Sequence, residues 1–287
     1  MLNFVDMEAE IREFMHTAFS EDVKDGDHSS LACIPENAQN KARLLIKENG
    51  ILAGVKLAKE VFRFVDEALQ VDVFIEDGSP VESGDVVFQV SGKAQSILTA
   101  ERIVLNCMQR MSAIATETRK YVDRIVDLNT KILDTRKTTP GIRFMEKWAV
   151  LIGGGENHRF GLYDMIMLKD NHIDFAGGMK QAILKTKEYL DQNNKDLKIE
   201  VETRNLQEVQ EVLSIGGVDR IMLDNFSLED TRAAVELIDG KYETEASGGV
   251  NLNTIRTIAE CGVDFVSVGA ITHSVHNLDM SLKAMNE

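Results

Sequence analysis

Apolar positions follow two different rhythms along the chain. Over the first 110 residues the periods are mixed. Met7–Phe19 and Leu57–Leu69 repeat apolar side chains at three- and four-residue spacing, the stripe of an amphipathic helix. Ala42–Lys47 and Val71–Ile75 are short, strand-like runs. Val81–Val90, broken by Ser83-Gly84-Asp85, predicts a hairpin. Gln95–Leu128 then returns to helical spacing, anchored by Ile97, Leu98, Ile103, Val104, Leu105 and Met108. This mixture predicts an N-terminal domain of helices and strands over residues 1–110.

From Lys131 the rhythm changes to short apolar runs separated by helix-length stretches. The runs are Lys131–Asp134, Asp164–Leu168, Leu197–Val201, Arg220–Leu223, Tyr242–Ala246 and Asp264–Val268. Between them lie helical patterns such as Leu206–Ile215, Leu228–Leu237 and Leu252–Cys261. Gly216-Gly217 and Gly262 are placed to end helices. Strand–helix alternation at this spacing predicts parallel strands with crossover helices. Six units in succession favour a β/α barrel, incomplete or open, over residues 111–274.

The residues just past each run are more informative than the run itself. The first leads into Thr135-Arg136-Lys137, the second into Lys169, the third into Glu202 and the fourth into Asp224. The fifth gives Ser247-Gly248-Gly249, and the sixth Val268-Gly269-Ala270 with His273 beyond. In β/α barrels the C-terminal ends of the strands converge on one mouth. Glycine turns after the last two strands suit a phosphate held by backbone N–H groups. Glu202 and Asp224 offer oxygen ligands for Mg²⁺ arriving with a polyphosphate, or partners for ribose hydroxyls, or countercharge for an electron-poor anomeric carbon. Arg136, Lys137, His158, Arg159 and Lys169 form a basic group, with guanidinium forks for carboxylates and ammonium groups for phosphate. Gly153-Gly154-Gly155-Glu156-Asn157 precedes His158 as a lid or nest.

Charge sharpens this picture. The chain carries −15 overall, which argues against nucleic acid or an anionic membrane as partner. Yet Thr135–His172 holds six Lys/Arg against four Asp/Glu, a basic island in an acidic chain and the mark of a small-anion site. No apolar run reaches the roughly 20 residues of a membrane span, and the acidic start MLNFVDMEAEIREFM lacks a secretory pattern. Cys33, Cys107 and Cys261 are read as buried thiols in a reducing, cytoplasmic compartment. Two features are set aside. Val73–Asp77 imitates an apolar-then-acidic phosphoribosyl motif but runs into a turn. His172 lacks a second histidine at helical spacing and is read as a structural hydrogen bonder.

Taken in order, Thr135-Arg136-Lys137-Thr138-Thr139-Pro140-Gly141, Gly154-Gly155-Glu156-Asn157-His158-Arg159 and Leu168-Lys169-Asp170-Asn171-His172 resemble the quinolinate phosphoribosyltransferases. So do Glu200-Val201-Glu202, Leu223-Asp224-Asn225-Phe226, Ser247-Gly248-Gly249 and Val268-Gly269-Ala270-Ile271-Thr272-His273, with Thr99-Ala100-Glu101-Arg102 earlier. The resemblance implies an N-terminal α/β sandwich, an open β/α barrel and a tail, 275–287, that returns to the first domain. It implies at least a homodimer in which Arg102 reaches the partner's site. Arg136, Arg159 and Lys169, with Lys137 and His158, would hold the quinolinate carboxylates and the pyrophosphate. Glu202 and Asp224 would face ribose and Mg²⁺. The Ser247-Gly248-Gly249 and Val268-Gly269-Ala270 loops, with His273, would hold the 5′-phosphate. The implied catalytic residues are Lys137, Glu202 and Asp224, the implied substrates quinolinate and phosphoribosyl pyrophosphate. A paralogue acting on nicotinate or a molybdenum-linked compound is the near rival, and a non-catalytic metabolite-binding protein the distant one.

Overall fold

The computed structural model describes residues 7–285. The reading of the extreme N-terminus and of the last tail residues falls in part on residues 1–6 and 286–287, outside the described residues. Two compact units emerge. One comprises residues 1–119, 138–154 and 272–287, the other residues 120–137 and 155–271. Residues 138–154 group with the first unit although they lie in sequence between the first two barrel strands.

The first unit opens with α1 (Glu8–Asp22) and α2 (His28–Cys33), then β1 (Gln39–Ile46), β2 (Gly50–Ile51), α3 (Val55–Val65), β3 (Gln70–Val73), β4 (Pro80–Val81) and β5 (Val86–Lys93). The long α4 (Ala94–Arg124) follows. The antiparallel sheet runs β12-β1-β5-β3, where β12 is Met280–Ala284 near the C-terminus, paired as Leu44↔Leu282. On α3, Val55, Leu57, Ala58, Val61 and Phe62 are buried, the helical spacing of its apolar residues placing them on one face. Phe62 meets Phe88 of β5 edge-on at 5.8 Å. The predicted Val81–Val90 hairpin does not form. β4 pairs with β2 instead, while β5 pairs with β1 and β3. The Ser83-Gly84-Asp85 turn is real but joins two sheets, because Asp85 closes on Glu82 while Ser83 N–H goes to the Asn49 side chain. Asp77 of the set-aside motif proves structural: its carboxylate accepts from the N–H groups of Val55 and Lys56 at the start of α3.

The second unit is built on β6 (Lys131–Leu133), β7 (Ile166–Leu168), β8 (Ile199–Thr203), β9 (Arg220–Asp224), β10 (Glu243–Ser247) and β11 (Phe265–Ser267). All pairs are parallel, in the order β6-β11-β10-β9-β8-β7. The helices that follow these strands are α6 (Asp170–Ala176), α7 (Met179–Gln192), α8 (Leu206–Ile215), α9 (Leu228–Ile238), α10 (Ile255–Ala259) and α11 (Ala270–His273), whose last two residues count with the first unit, while α5 (Arg143–Ile152) belongs entirely to the first unit. Asn205 and Ser227 cap α8 and α9, accepting from Glu208 and Asp230 N–H. β6 and β7 stand at opposite ends of the sheet order, so the barrel is open between them. On the free side of β6, Glu156 forms a short parallel bridge to Leu133. The strands are buried on both faces, yet the faces differ. Ile199, Val201, Ile221, Leu223, Ala246 and Val266 alternate with Glu200, Glu202, Arg220, Met222, Asp224, Glu245 and Ser267, the two-residue pleat separating an apolar face from a polar one.

Among the described residues no helix is long and apolar enough to cross a membrane. The cysteines are free, and Cys107 and Cys261 are buried, but Cys33 is exposed, contrary to expectation, because it closes the short surface helix α2. Gly153, which ends α5, packs where a Cβ would stand 2.6 Å from the Ala115 carbonyl oxygen and 2.7 Å from Thr118 Cβ. Gly153→Ala is therefore expected to lower stability by about 1–3 kcal/mol through overpacking against backbone. Urea unfolding of the purified chain measures this, and an unchanged midpoint contradicts it.

Candidate active site

The polar face of the open barrel ends in a cavity of about 540 Å³. Thr135, Arg136, Lys137, His158, Arg159, Lys169, Glu202, Asp224, Ser247 and Gly248 all line it. These residues come from four strand ends and two loops, and the parallel topology brings them together. Six of the expected site residues are not in its wall. Arg102 lies exposed on α4, beside a separate depression with Asp27, Cys33 and Glu101. Gly249, Val268, Gly269, Ala270 and His273 also stay out of the wall, Val268 because it is buried behind β11 and His273 because it ends α11.

Two arginines stand out on the basic side of the cavity. Arg136 Nε is buried without a hydrogen-bond partner. Arg159 donates to the Met165 carbonyl at 3.0 Å, while burial, followed by the positive charge of Arg136, pulls its pKa below the usual arginine value. A guanidinium whose charge is disfavoured by burial and by a neighbouring guanidinium is poised for an anion. Lys169 Nζ is held at 3.1 Å by Glu202 Oε2.

Asp224 is fixed from both sides. Its Oδ1 accepts from Ser247 Oγ and its Oδ2 from Asn225 Nδ2, each at 2.7 Å. The register explains the first bond, since Ser247 and Asp224 are direct neighbours on β10 and β9. Asn225 adopts φ 57°, a left-handed backbone that asparagine tolerates better than most residues. A Cβ on Gly248 would stand 2.1 Å from Asn225 Oδ1, and Gly248 itself has φ 97°, so glycine is required at this close approach.

Below these groups the interior joins His158 to charges that sequence reasoning gave no role. His158 Nε2 lies 2.9 Å from Glu200 and 3.4 Å from Glu245. Arg220 donates to Glu245 at 2.9 Å and to Glu243 at 3.0 and 3.2 Å, its guanidinium 4.0 Å above the Phe265 ring. Asp134, fully buried, accepts from His158 N–H at 2.9 Å and from Asn157 Nδ2 at 2.6 Å, fixing the segment that follows the glycine triplet. The available signal was period-two spacing of acids: Glu200 lies two residues before Glu202, and Glu243 two before Glu245. His172, by contrast, serves structure, its Nδ1 accepting from Lys169 N–H at 3.0 Å.

Burial acts to lower the His158 pKa, but the Glu200 and Glu245 carboxylates outweigh it and hold the imidazole up at about 9. Burial, followed by repulsion from Glu245, raises Glu200; burial also acts to raise Glu245, yet His158 and Arg220 bring it below the usual glutamate value. His158, Glu200 and Glu245 have the spacing of a metal-ligand set. Arg220 already supplies a positive charge against Glu245 there, which fits an ion-paired interior better than a cation site.

Comparison with known proteins agrees with this geometry. The family profile "Quinolinate phosphoribosyl transferase, N-terminal domain" matches residues 27–112, and "Quinolinate phosphoribosyl transferase, C-terminal domain" matches residues 114–283. A Nicotiana tabacum protein named "Quinolinate phosphoribosyltransferase [decarboxylating] 2b, mitochondrial" is 46% identical over 97% of this chain and 83% of its own length. An Arabidopsis thaliana protein named "Nicotinate-nucleotide pyrophosphorylase [carboxylating], chloroplastic" is 47% identical over 97% and 84%. The solved nicotinate-nucleotide pyrophosphorylase of Francisella tularensis superposes with TM-score 0.89 at 39% identity, covering 96% of each chain. These names also correct the cytoplasmic assignment. Plant relatives at 46–47% identity are mitochondrial or chloroplastic by name, so thiol usage and the lack of a secretory pattern do not place the chain in the cytoplasm.

The charge on His158 gives a sign for pH dependence. Its raised pKa means that its contribution to stability is complete below about 6.5, the ordinary value, and fades as pH rises through about 9. Thermal unfolding from pH 6 to pH 9.5 is expected to show a falling midpoint, and His158→Gln to flatten that slope. A midpoint indifferent to pH in the wild-type chain contradicts the assignment.

Proposed function

The chain belongs to the quinolinate phosphoribosyltransferase family, and we propose that it joins quinolinate to phosphoribosyl pyrophosphate, giving nicotinate mononucleotide, pyrophosphate and CO₂ in NAD biosynthesis. The observation that carries the reading is one cavity in which Arg136, Lys137, Arg159 and Lys169 converge with Glu202 and Asp224. Two highly negative reactants need such a gathering of cations. A monocarboxylate such as nicotinate does not.

The ring nitrogen of quinolinate attacks the anomeric carbon, and the bond to pyrophosphate breaks with its electron pair leaving on the pyrophosphate oxygen. Arg136 and Arg159 hold the quinolinate carboxylates bidentately. Lys137 and Lys169 stand as point charges for the departing pyrophosphate. Glu202 and Asp224 face the ribose, where carboxylates steady the positive charge that develops at the anomeric carbon. Once alkylated, the ring nitrogen is cationic, and its charge stabilises the electron pair that the breaking C–CO₂ bond leaves on the adjacent ring carbon. CO₂ departs, and a proton from solvent replaces it. Positioning supplies most of the rate. The turns at Ser247-Gly248-Gly249 and Val268-Gly269-Ala270, with His273, serve the 5′-phosphate.

Glu202 and Asp224 also fit Mg²⁺. They lie on neighbouring strands facing one cavity, and Glu202 uses only Oε2 for Lys169, so hard oxygen donors remain for a cation. When bound with the sugar donor, Mg²⁺ would neutralise charge on its pyrophosphate. The enzyme acts as a homodimer or larger assembly in which Arg102 serves the partner's site. The exposure of Arg102 and its absence from its own cavity wall support this reading.

The test is CO₂ release from quinolinate with and without phosphoribosyl pyrophosphate and Mg²⁺. Release is expected only with the sugar donor present. Arg136→Ala is expected to weaken quinolinate binding about 10- to 100-fold, the size of a lost charge-assisted pair. Release that ignores the donor, or an Arg136→Ala variant with unchanged affinity, overturns the reading.

A further inference from the structure

Arg110 on α4 and Glu146 on α5 form an ion pair outside the cavity wall. Arg110 Nε and Nη2 both reach Glu146 Oε1, at 2.9 and 2.8 Å, and Glu146 is fully buried. The pair does not close on itself. Arg110 Nη2 also donates to the Thr272 carbonyl at 2.6 Å, and Glu146 Oε2 accepts from Thr139 N–H at 3.0 Å. Arg143 adds a bond from Nε to Thr138 Oγ1 at 2.9 Å.

The two loops gripped in this way matter. Thr139 lies two residues after Lys137 in the loop that leaves β6, and Thr272 immediately precedes His273 in the segment that follows β11. Both grips are on main-chain atoms, so they set where the loops run whatever side chains those positions carry. Bonds to ionised groups are shorter and stronger than neutral ones, which makes this pair a firm reference point for two distant stretches of chain.

We propose that Arg110 and Glu146 are positioning residues that fix the spacing between the loop after β6 and the loop after β11. This rests on the proposed function, in which the first loop serves the pyrophosphate end of the sugar donor and the second its 5′-phosphate. One molecule bound at both ends gains from the linkage only if the two subsites are held at the matching distance. Displacement of about 1 Å costs about 100-fold in rate.

The experiment uses the full chain and the double variant Arg110→Gln/Glu146→Gln, which replaces both charges with neutral amides and leaves no buried charge unpaired. Fluorescence of Trp148, the chain's one tryptophan and a largely buried neighbour of Glu146 on α5, verifies folding. Equilibrium binding is measured for phosphoribosyl pyrophosphate, for pyrophosphate alone and for ribose 5-phosphate alone, alongside CO₂ release. The expected result is near wild-type binding of the two fragments, intact donor bound at least about 10-fold more weakly, and kcat/KM lower by about 100-fold. Equal weakening of all three ligands, or of none, shows a merely structural pair and overturns the proposal. If the double variant does not fold, Arg110→Lys, which keeps the charge but loses the fork, is measured against the same outcomes. Absence of CO₂ release in the wild-type chain would strike the functional reading instead, and the fragment comparison would still decide the spacing.

Discussion

Six parallel strands must place alternate side chains on opposite faces, and here one face is apolar while the other is charged. The usual barrel interior is filled by branched apolar residues. In this chain Glu200, Glu245, Arg220 and His158 take that place, and none of them tolerates burial alone. Their mutual pairing is therefore a condition of the fold. Because Glu200 aligns with Arg220, and Glu243 with Arg220 from the other side, strand register and charge pairing specify one another. A one-residue slip on any of the three strands would drive carboxylates into the apolar face.

The same alternation arranges the mouth. Glu202 follows Glu200 by two residues, Asp224 follows Met222, and Ser247 follows Glu245, so each interior position is succeeded by one that opens onto the cavity. Acids thus rise from the strands, whereas Arg136, Lys137 and Arg159 arrive from loops. The strands hold the acids rigidly, as with Asp224 between Ser247 and Asn225. The cations keep reach and hydrogen-bonding capacity, which suits groups that must close on an incoming anion.

Much of this was legible in the chain. The six strands and most crossover helices follow from hydrophobic rhythm, and Leu206–Ile215 coincides with α8. Strand-end chemistry identified the residues that now share one cavity. Elsewhere local signals lacked the needed information. Ser83-Gly84-Asp85 announces a turn but says nothing of which strands pair beyond it, and pairing of β4 with β2 depends on contacts thirty residues apart. The basic island counted charges without distinguishing Arg136, free for a ligand, from Arg143, spent on Thr138. Asp134, Glu200 and Glu245 looked like ordinary members of apolar runs. Their role appears only when the loop after the glycine triplet supplies His158 and β9 supplies Arg220. Compartment was the furthest from reach, since the physical chemistry of a thiol reports redox conditions and not an address.

Arg220 stacked on Phe265 beneath Glu245 and His158 has one more effect. Those side chains fill the barrel interior beneath the cavity, so the floor that a ligand meets is charged yet already balanced by its own internal pairing.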